Sequence, residues 1–177
     1  ARFNMERIRT HWSKTRNAEE AQRQIDCIVL ACSHMSASKT GALIIITKNQ
    51  GLNEYADTGE IVDAAISVQM IENIFFKNTP LHDGAMIISS GRIYAAACIL
   101  PVSKRQDLPK SYGLRHRAAL GLAEKTDAIA IVVSEETGKI SVAQGNTIKT
   151  VSTNELEHTY LAPAYGVEYK KDNNKTK

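Results

Sequence analysis

Three short clusters in this chain of 177 residues carry side chains able to hold a metal ion or a phosphate. In Asn78-Thr79-Pro80-Leu81-His82-Asp83-Gly84-Ala85, a carboxylate stands beside an imidazole at the mouth of a strand. A hard divalent cation takes carboxylate oxygen, and Gly84 has no Cβ to keep a phosphate from the backbone. Asp-Gly is also above all a turn dipeptide, and both readings stand at this level. In Gly113-Leu114-Arg115-His116-Arg117-Ala118-Ala119, two guanidiniums bracket an imidazole where a helix begins. Free N–H groups and the helix dipole already favour an anion there, so two arginines in the first turn oppose the dipole and call for a compensating anion such as a phosphate chain. The plain alternative pairs Arg115 and Arg117 with Glu135 and Glu136 and makes His116 a core histidine. The third cluster, Ser134-Glu135-Glu136-Thr137-Gly138, offers a hydroxyl and two acids at the carboxyl end of a buried strand, the edge where open α/β sheets bind ligands.

The elements that position these clusters follow from apolar periodicity. Asn17 is placed to cap a helix whose apolar residues Ala21, Ile25, Ile28, Val29, Cys32 and Met35 recur at threes and fours to about Ser38. Leu43 to Thr47 is a β-branched run apolar on both faces, which predicts a buried central strand. A polar turn from Lys48 to Gly59 follows, then a short strand at Ala64 to Ile66 and a helix capped by Ser67. Ala85–Ser89 and Arg92–Leu100 form a hairpin, and Pro101 to Gly113 is an irregular loop. Arg115 to Thr126 is a helix; strands at Ala128–Val133, Lys139–Ala143 and Thr147–Val151 and a closing helix capped by Thr153 complete the chain. The expectation is one α/β domain, a mixed central sheet of about six strands flanked by helices. Residues 1–16 read as a linker or frayed segment, 17–162 as the folded domain that carries the three clusters, and 163–177 as a tail disordered at its end.

Composition narrows the function classes. With 43% hydrophobic and 23% charged residues the chain has the makings of a packed core, so a disordered chain is excluded. Its longest apolar runs, Gly41–Ile46 and Ile93–Val102, fall short of the ~18 residues a membrane span requires. Three cysteines without CxxC spacing favour neither a disulfide framework nor a zinc site. The net charge of +3 conceals basic ends and a body whose basic residues gather between Lys104 and Arg117, where a polyanion would be held. Those ends lack interleaved aromatics apart from Phe3 and Trp12, which disfavours nucleic acid as a partner. GxxxxGKS/T, GxGxxG and HExxH are all missing.

Taken in order, Gly41-Ala42-Leu43, Asp57-Thr58-Gly59, Asn78 to Ala85, Ala95 to Pro101, Arg115 to Ala119 and Ser134 to Gly138 resemble the diadenylate cyclase (DAC) domain. The likeness covers roughly residues 18 to 160 and points to the class that bacteria tether to the cytoplasmic membrane. It implies condensation of two ATP into cyclic di-AMP and two pyrophosphates, with Mg or Mn, across a homodimer that brings two nucleotides face to face. It puts the catalytic metal at Asp83 with His82 as a second ligand, and the phosphates on Arg115, His116, Arg117 and Ser134. Gly84 and Ala85 would line ribose and phosphates, Ile99 and Leu100 would flank adenine, and Glu135 would contact nucleotide or metal. Family members commonly have Thr where this chain has Leu114, and many have an aromatic residue in place of Ile99. Losing one neutral hydrogen bond costs about 0.5–1.5 kcal/mol, so a tuned site is expected rather than a dead one. The resemblance further implies a regulatory protein partner and a place on the cytoplasmic side of the membrane, reached through a segment outside this chain, itself read as a soluble fragment. The competing expectations are a nucleotide sensor without turnover and a phosphohydrolase using His82 and Asp83.

Overall fold

The computed structural model describes the backbone of residues 5–169 and the side chains of residues 17–169. Helix α1 (Met5–Ser38) leads into the central strand β1 (Ala42–Ile46). Then come α2 (Asn53–Ala56), β2 (Glu60–Ala65), α3 (Val68–Phe75), β3 (Ala85–Ser89), β4 (Arg92–Cys98) and α4 (Leu114–Lys125). Strands β5 (Ile129–Val133), β6 (Ile140–Gln144) and β7 (Thr147–Thr150) precede a closing helical segment. That segment runs from α5 (Thr153–Glu155) through a π-helical stretch, Leu156–Leu161, into α6 (Ala162–Tyr165).

Among the described residues the strands form one mixed sheet in the order β2-β4-β3-β1-β5-β6-β7. β1 runs parallel to β3, with Ile44 opposite Met86, and antiparallel to β5, with Ile44 opposite Ile131. Every residue of β1 is buried because both of its faces are covered. Ala42, Ile44 and Ile46 join Ile25, Ile28, Cys32 and Met35 of α1 and Ile71, Ile74 and Phe75 of α3. Leu43 and Ile45 join Ala130 and Val132 of β5 and Ala119, Leu122 and Ala123 of α4. Each fully buried isoleucine contributes roughly 1.5–3 kcal/mol, and pairing on both edges, with β3 and with β5, fixes the register of β1 and its ends.

Several expectations are corrected. The backbone is already helical at Asn17, so that residue does not cap α1. The sheet has seven strands where about six were expected, because the short run at Ala64–Ile66 is a full edge strand, β2, that starts at Glu60 and ends at Ala65. Its alternation breaks where Asp63 takes φ 47 at an irregularity between Ile61 and Ala64, and Arg92 holds that kink by donating to the Asp63 carboxylate and carbonyl at 2.6 and 2.7 Å. The polar stretch before it contains α2. Ser67 does cap α3, accepting from the Met70 N–H at 3.1 Å, whereas the closing segment is capped by Ser152 in a box with Glu155. The tail after Tyr169 and residues 1–4 lie outside the described residues, as do the side chains of the expected linker.

α4 lies so close to the loop after β4 that a Cβ on Gly121 would overlap the Pro101 carbonyl. Gly121→Ala should therefore cost about 1–3 kcal/mol and lower Tm by roughly 2–12 °C, whereas Gly51→Ala, where a Cβ meets nothing within 4 Å, should barely move it. Equal melting temperatures for the two variants would contradict this packing.

Candidate active site

One cleft of about 500 Å³ opens where several element ends meet: the start of β3, the ends of β4 and β5, and the first turn of α4. Asp83, Gly84, Ile99, Leu100, Leu114, Arg115, His116, Ser134 and Glu135 all line it, from four separate stretches of chain. His82, Ala85 and Arg117 do not. Ala85 is wholly buried within β3, opposite Cys98.

Arg115 is the unusual residue. Its side chain is only 21% exposed, and its Nη1 lies 3.6 Å from Glu135 Oε1, beyond hydrogen-bonding distance. Its Nε is buried without an acceptor among the described residues. A guanidinium has five N–H donors, and leaving a buried one unmade costs about 1–3 kcal/mol. The seat for this side chain is Gly41, immediately before β1, where a Cβ would come within 2.6 Å of Nη1 and 2.9 Å of Cζ. Glycine at 41 leaves the room in which the end of the arginine lies, and a side chain there would push that guanidinium aside.

Asp83 faces the cleft with its side chain 87% exposed. Beside it, the ring of His82 lies with Nδ1 2.7 Å from the Thr79 carbonyl, which can only accept, so Nδ1 carries the proton. In the neutral ring Nε2 then bears a lone pair, 3.4 Å from Asp83 Oδ1. Two acceptors facing each other suit a cation between them, and the back-bond to a carbonyl is the usual support of a metal-binding histidine. Among the described residues no group of three such side chains converges, so a metal here would draw its remaining ligands from water and substrate, as Mg²⁺ commonly does. Gly84 has a reason of its own: at φ +100, a Cβ would strike the backbone of Ala97 and Cys98 in β4. Packing inside the sheet, not ligand approach, excludes a side chain there.

Ser134 is buried at the end of β5 and its Oγ accepts from the N–H groups of Glu136 and Thr137 at 3.3 and 3.2 Å. Its hydroxyl proton is left free to donate into the cleft it lines. Arg117 turns away, donating from Nη1 to the Arg105 carbonyl at 2.7 Å, while Arg105 itself binds Asp107 and the Asn146 carbonyl. The basic run from Lys104 to Arg117 is therefore not one polyanion surface; Arg115 is the guanidinium of that run which lines the cleft. Ile99 and Leu114 are 70% and 72% exposed and make an apolar rim with Val102. Sequence reasoning gave no role to Thr58, whose Oγ1 accepts from the Ile99 N–H at 2.8 Å and pins the end of β4. Nor did it explain Gly59, where a Cβ would collide with Ala96 and Cys98. The quoted Asp57-Thr58-Gly59 motif was the signal, but only the pairing of β2 with β4 shows what it serves.

Fold and cleft together define a three-layer α/β domain with a site built around an under-bonded guanidinium and an exposed carboxylate. The model of the DAC family, described as DisA bacterial checkpoint controller nucleotide-binding, matches residues 29–148. The chain belongs to this family. It is 42% identical over 159 residues to the cyclic di-AMP synthase CdaA of Bacillus subtilis, an alignment covering 89% of this chain and 57% of that protein. It thus spans somewhat over half the length of that relative. The crystal structure of a double mutant of DacA from Staphylococcus aureus superposes with a TM-score of 0.81 at 40% identity, covering 84% of this chain and 99% of that one. The structure of a hypothetical membrane spanning protein from Bacillus cereus gives 0.69 at 42% identity, covering 72% and 62%. The shared sheet and helices bear out the α/β fold, with seven strands in place of about six.

Burial, and secondarily the charge of Arg115, hold the His116 pKa below its ordinary value of 6.5. The unfolded chain therefore takes up this proton first as pH falls, and the stability present above the unfolded value is lost between that value and the lowered one. Urea unfolding at about pH 7.5 and about pH 5.5 should show wild type losing more stability than His116→Asn, by up to about 1.4 kcal/mol per pH unit. Parallel losses would contradict a buried neutral imidazole.

Proposed function

We propose that this domain is a diadenylate cyclase, joining two ATP molecules into cyclic di-AMP with release of two pyrophosphates. One observation carries the reading: Asp83 and Arg115, thirty-odd positions apart in sequence, line one cleft, the arginine's buried Nε without an acceptor among the described residues. A triphosphate satisfies that guanidinium, and the name of the Bacillus subtilis relative supports the product. Attachment at the inner face of a membrane through a segment outside this chain belongs to the same proposal, supported by the description of the Bacillus cereus structure as a membrane spanning protein. No helix of the described residues is long and apolar enough to cross one.

Each half-reaction forms a bond between the ribose 3′ oxygen of one nucleotide and the α-phosphorus of the other. The bond from that phosphorus to the β-bridging oxygen breaks, pyrophosphate leaves with its electron pair, and the 3′ proton passes to solvent. Such a reaction is mainly positioning and charge stabilisation. Arg115 binds the phosphate chain, and Ser134 donates its free hydroxyl proton to a phosphate oxygen. Ile99 and Leu100 offer the adenine an apolar face, with Leu114 at the rim. Asp83 and His82 would hold Mg²⁺ or Mn²⁺, which supplies Lewis-acid polarisation of the α-phosphate when bound. Glu135 stays near Arg115 and keeps it oriented until phosphate displaces the pair. Arg117 acts through the Arg105 loop. Since one cleft holds one nucleotide, a second copy must present its own cleft, and the exposed Ile99, Val102 and Leu114 supply apolar surface for that approach.

Incubation with ATP and Mg²⁺ or Mn²⁺ followed by chromatography should yield cyclic di-AMP; AMP or phosphate alone would favour a hydrolase and overturn the reading. Asp83→Asn should lower turnover about 100-fold or more, and Arg115→Ala kcat/KM by about 10²–10³. Activity per enzyme should fall on dilution as the dimer separates.

A further inference from the structure

The first turn of α4 contains an arrangement that bears on how Arg115 is positioned, given that its buried Nε has no acceptor among the described residues. Gly113, at the head of α4, has no side chain to accept from the helix's free N–H groups, and a Cβ there would touch nothing within 4 Å. His116, one turn along, reaches back: its Nδ1 accepts from the Gly113 N–H at 3.1 Å. The same ring lies face to face with Tyr112, centroids 4.4 Å apart and planes within 5°. Tyr112 is in turn tied to the loop, its N–H donating to the Pro109 carbonyl at 3.0 Å. The two rings therefore form a closed link across Gly113-Leu114-Arg115, the stretch that presents the guanidinium to the cleft.

We propose that Tyr112 and His116 are positioning residues, an aromatic lock that holds Arg115 in the cleft, with His116 acting as a neutral acceptor and not as a phosphate-binding cation. An imidazolium carries N–H on both nitrogens and cannot accept from Gly113, so the lock and a cationic role exclude each other. The proposal rests on the nucleotide reading only for its effect on turnover; the lock itself belongs to the free protein.

Side-chain ¹⁵N spectra of the unliganded chain at neutral pH test it directly. The His116 proton is expected on Nε2 with Nδ1 bare, and a ring protonated on Nδ1 overturns the lock whatever the catalytic activity. Kinetics give the second arm. Tyr112→Ala should raise KM for ATP about fivefold with a smaller change in kcat, and Tyr112→Phe, which keeps the stacked face, should recover most of that loss. An unchanged KM in Tyr112→Ala overturns the proposal. His116→Asn keeps a neutral acceptor near the Nδ1 position, while His116→Lys keeps a cation and no acceptor. The lock predicts that Asn retains several-fold more activity than Lys, and a phosphate-gripping histidine predicts the reverse. If the expected spectrum accompanies an unaltered protein that makes no cyclic di-AMP, the reading of turnover fails and the lock stands.

Discussion

The arrangement of the site depends on one close approach, the guanidinium of Arg115 lying against the backbone of Gly41. That contact joins the first turn of α4 to the residue leading into the central strand, and Glu135 at the end of β5 closes the third side. A side chain on residue 41 would occupy the space of Cζ and Nη1. The absence of a side chain at 41 gives the arginine its place beside the strand, and among the described residues its buried Nε is left for a ligand. The unmade bond at Nε is an energetic cost in the free domain, tolerated because the sheet beneath does not yield.

That rigidity has a clear origin. β1 is buried on both faces and paired on both edges, parallel to β3 and antiparallel to β5, so the strand ends that carry Gly41, Gly84 and Ser134 are fixed relative to one another. The acidic wall rests on the tight β3–β4 junction, where Gly84 and the positive φ of Ala97 let the two backbones meet. The basic wall rests on α4, packed through Gly121 against the loop at Pro101. The cleft thus receives the Asp83 carboxylate from the start of β3 and the Arg115 guanidinium from α4, the pair of groups that a metal-bearing polyphosphate would engage.

Much of this was legible in the sequence, and the failures have physical causes. The β-branched run at Leu43–Ile46 and the periodic stripe from Ala21 to Met35 announced a central strand and its covering helix, because burial on two faces or one leaves an unmistakable pattern. β2 was shortened because an edge strand kinked at Asp63 keeps no alternation to read. Asp83 and Arg115 could be singled out by residue type, yet that they share a cleft follows only from sheet order. The arginine pair was harder to separate: Arg115 and Arg117 are two positions apart on a helix, so they point in different directions, one into the cleft and one to the Arg105 carbonyl. Gly84 was chosen for the right neighbourhood, but its need for glycine comes from β4.

The central claim is that a single nucleotide tail bridges Asp83 and Arg115. A crystal structure of the domain with Mg²⁺ and an ATP analogue carrying a methylene between the α- and β-phosphorus atoms tests it most directly. The account predicts phosphate oxygens within hydrogen-bonding distance of the Arg115 guanidinium and the metal ion on Asp83. A nucleotide seated with its phosphates away from Arg115, or bound outside this cleft, would contradict it.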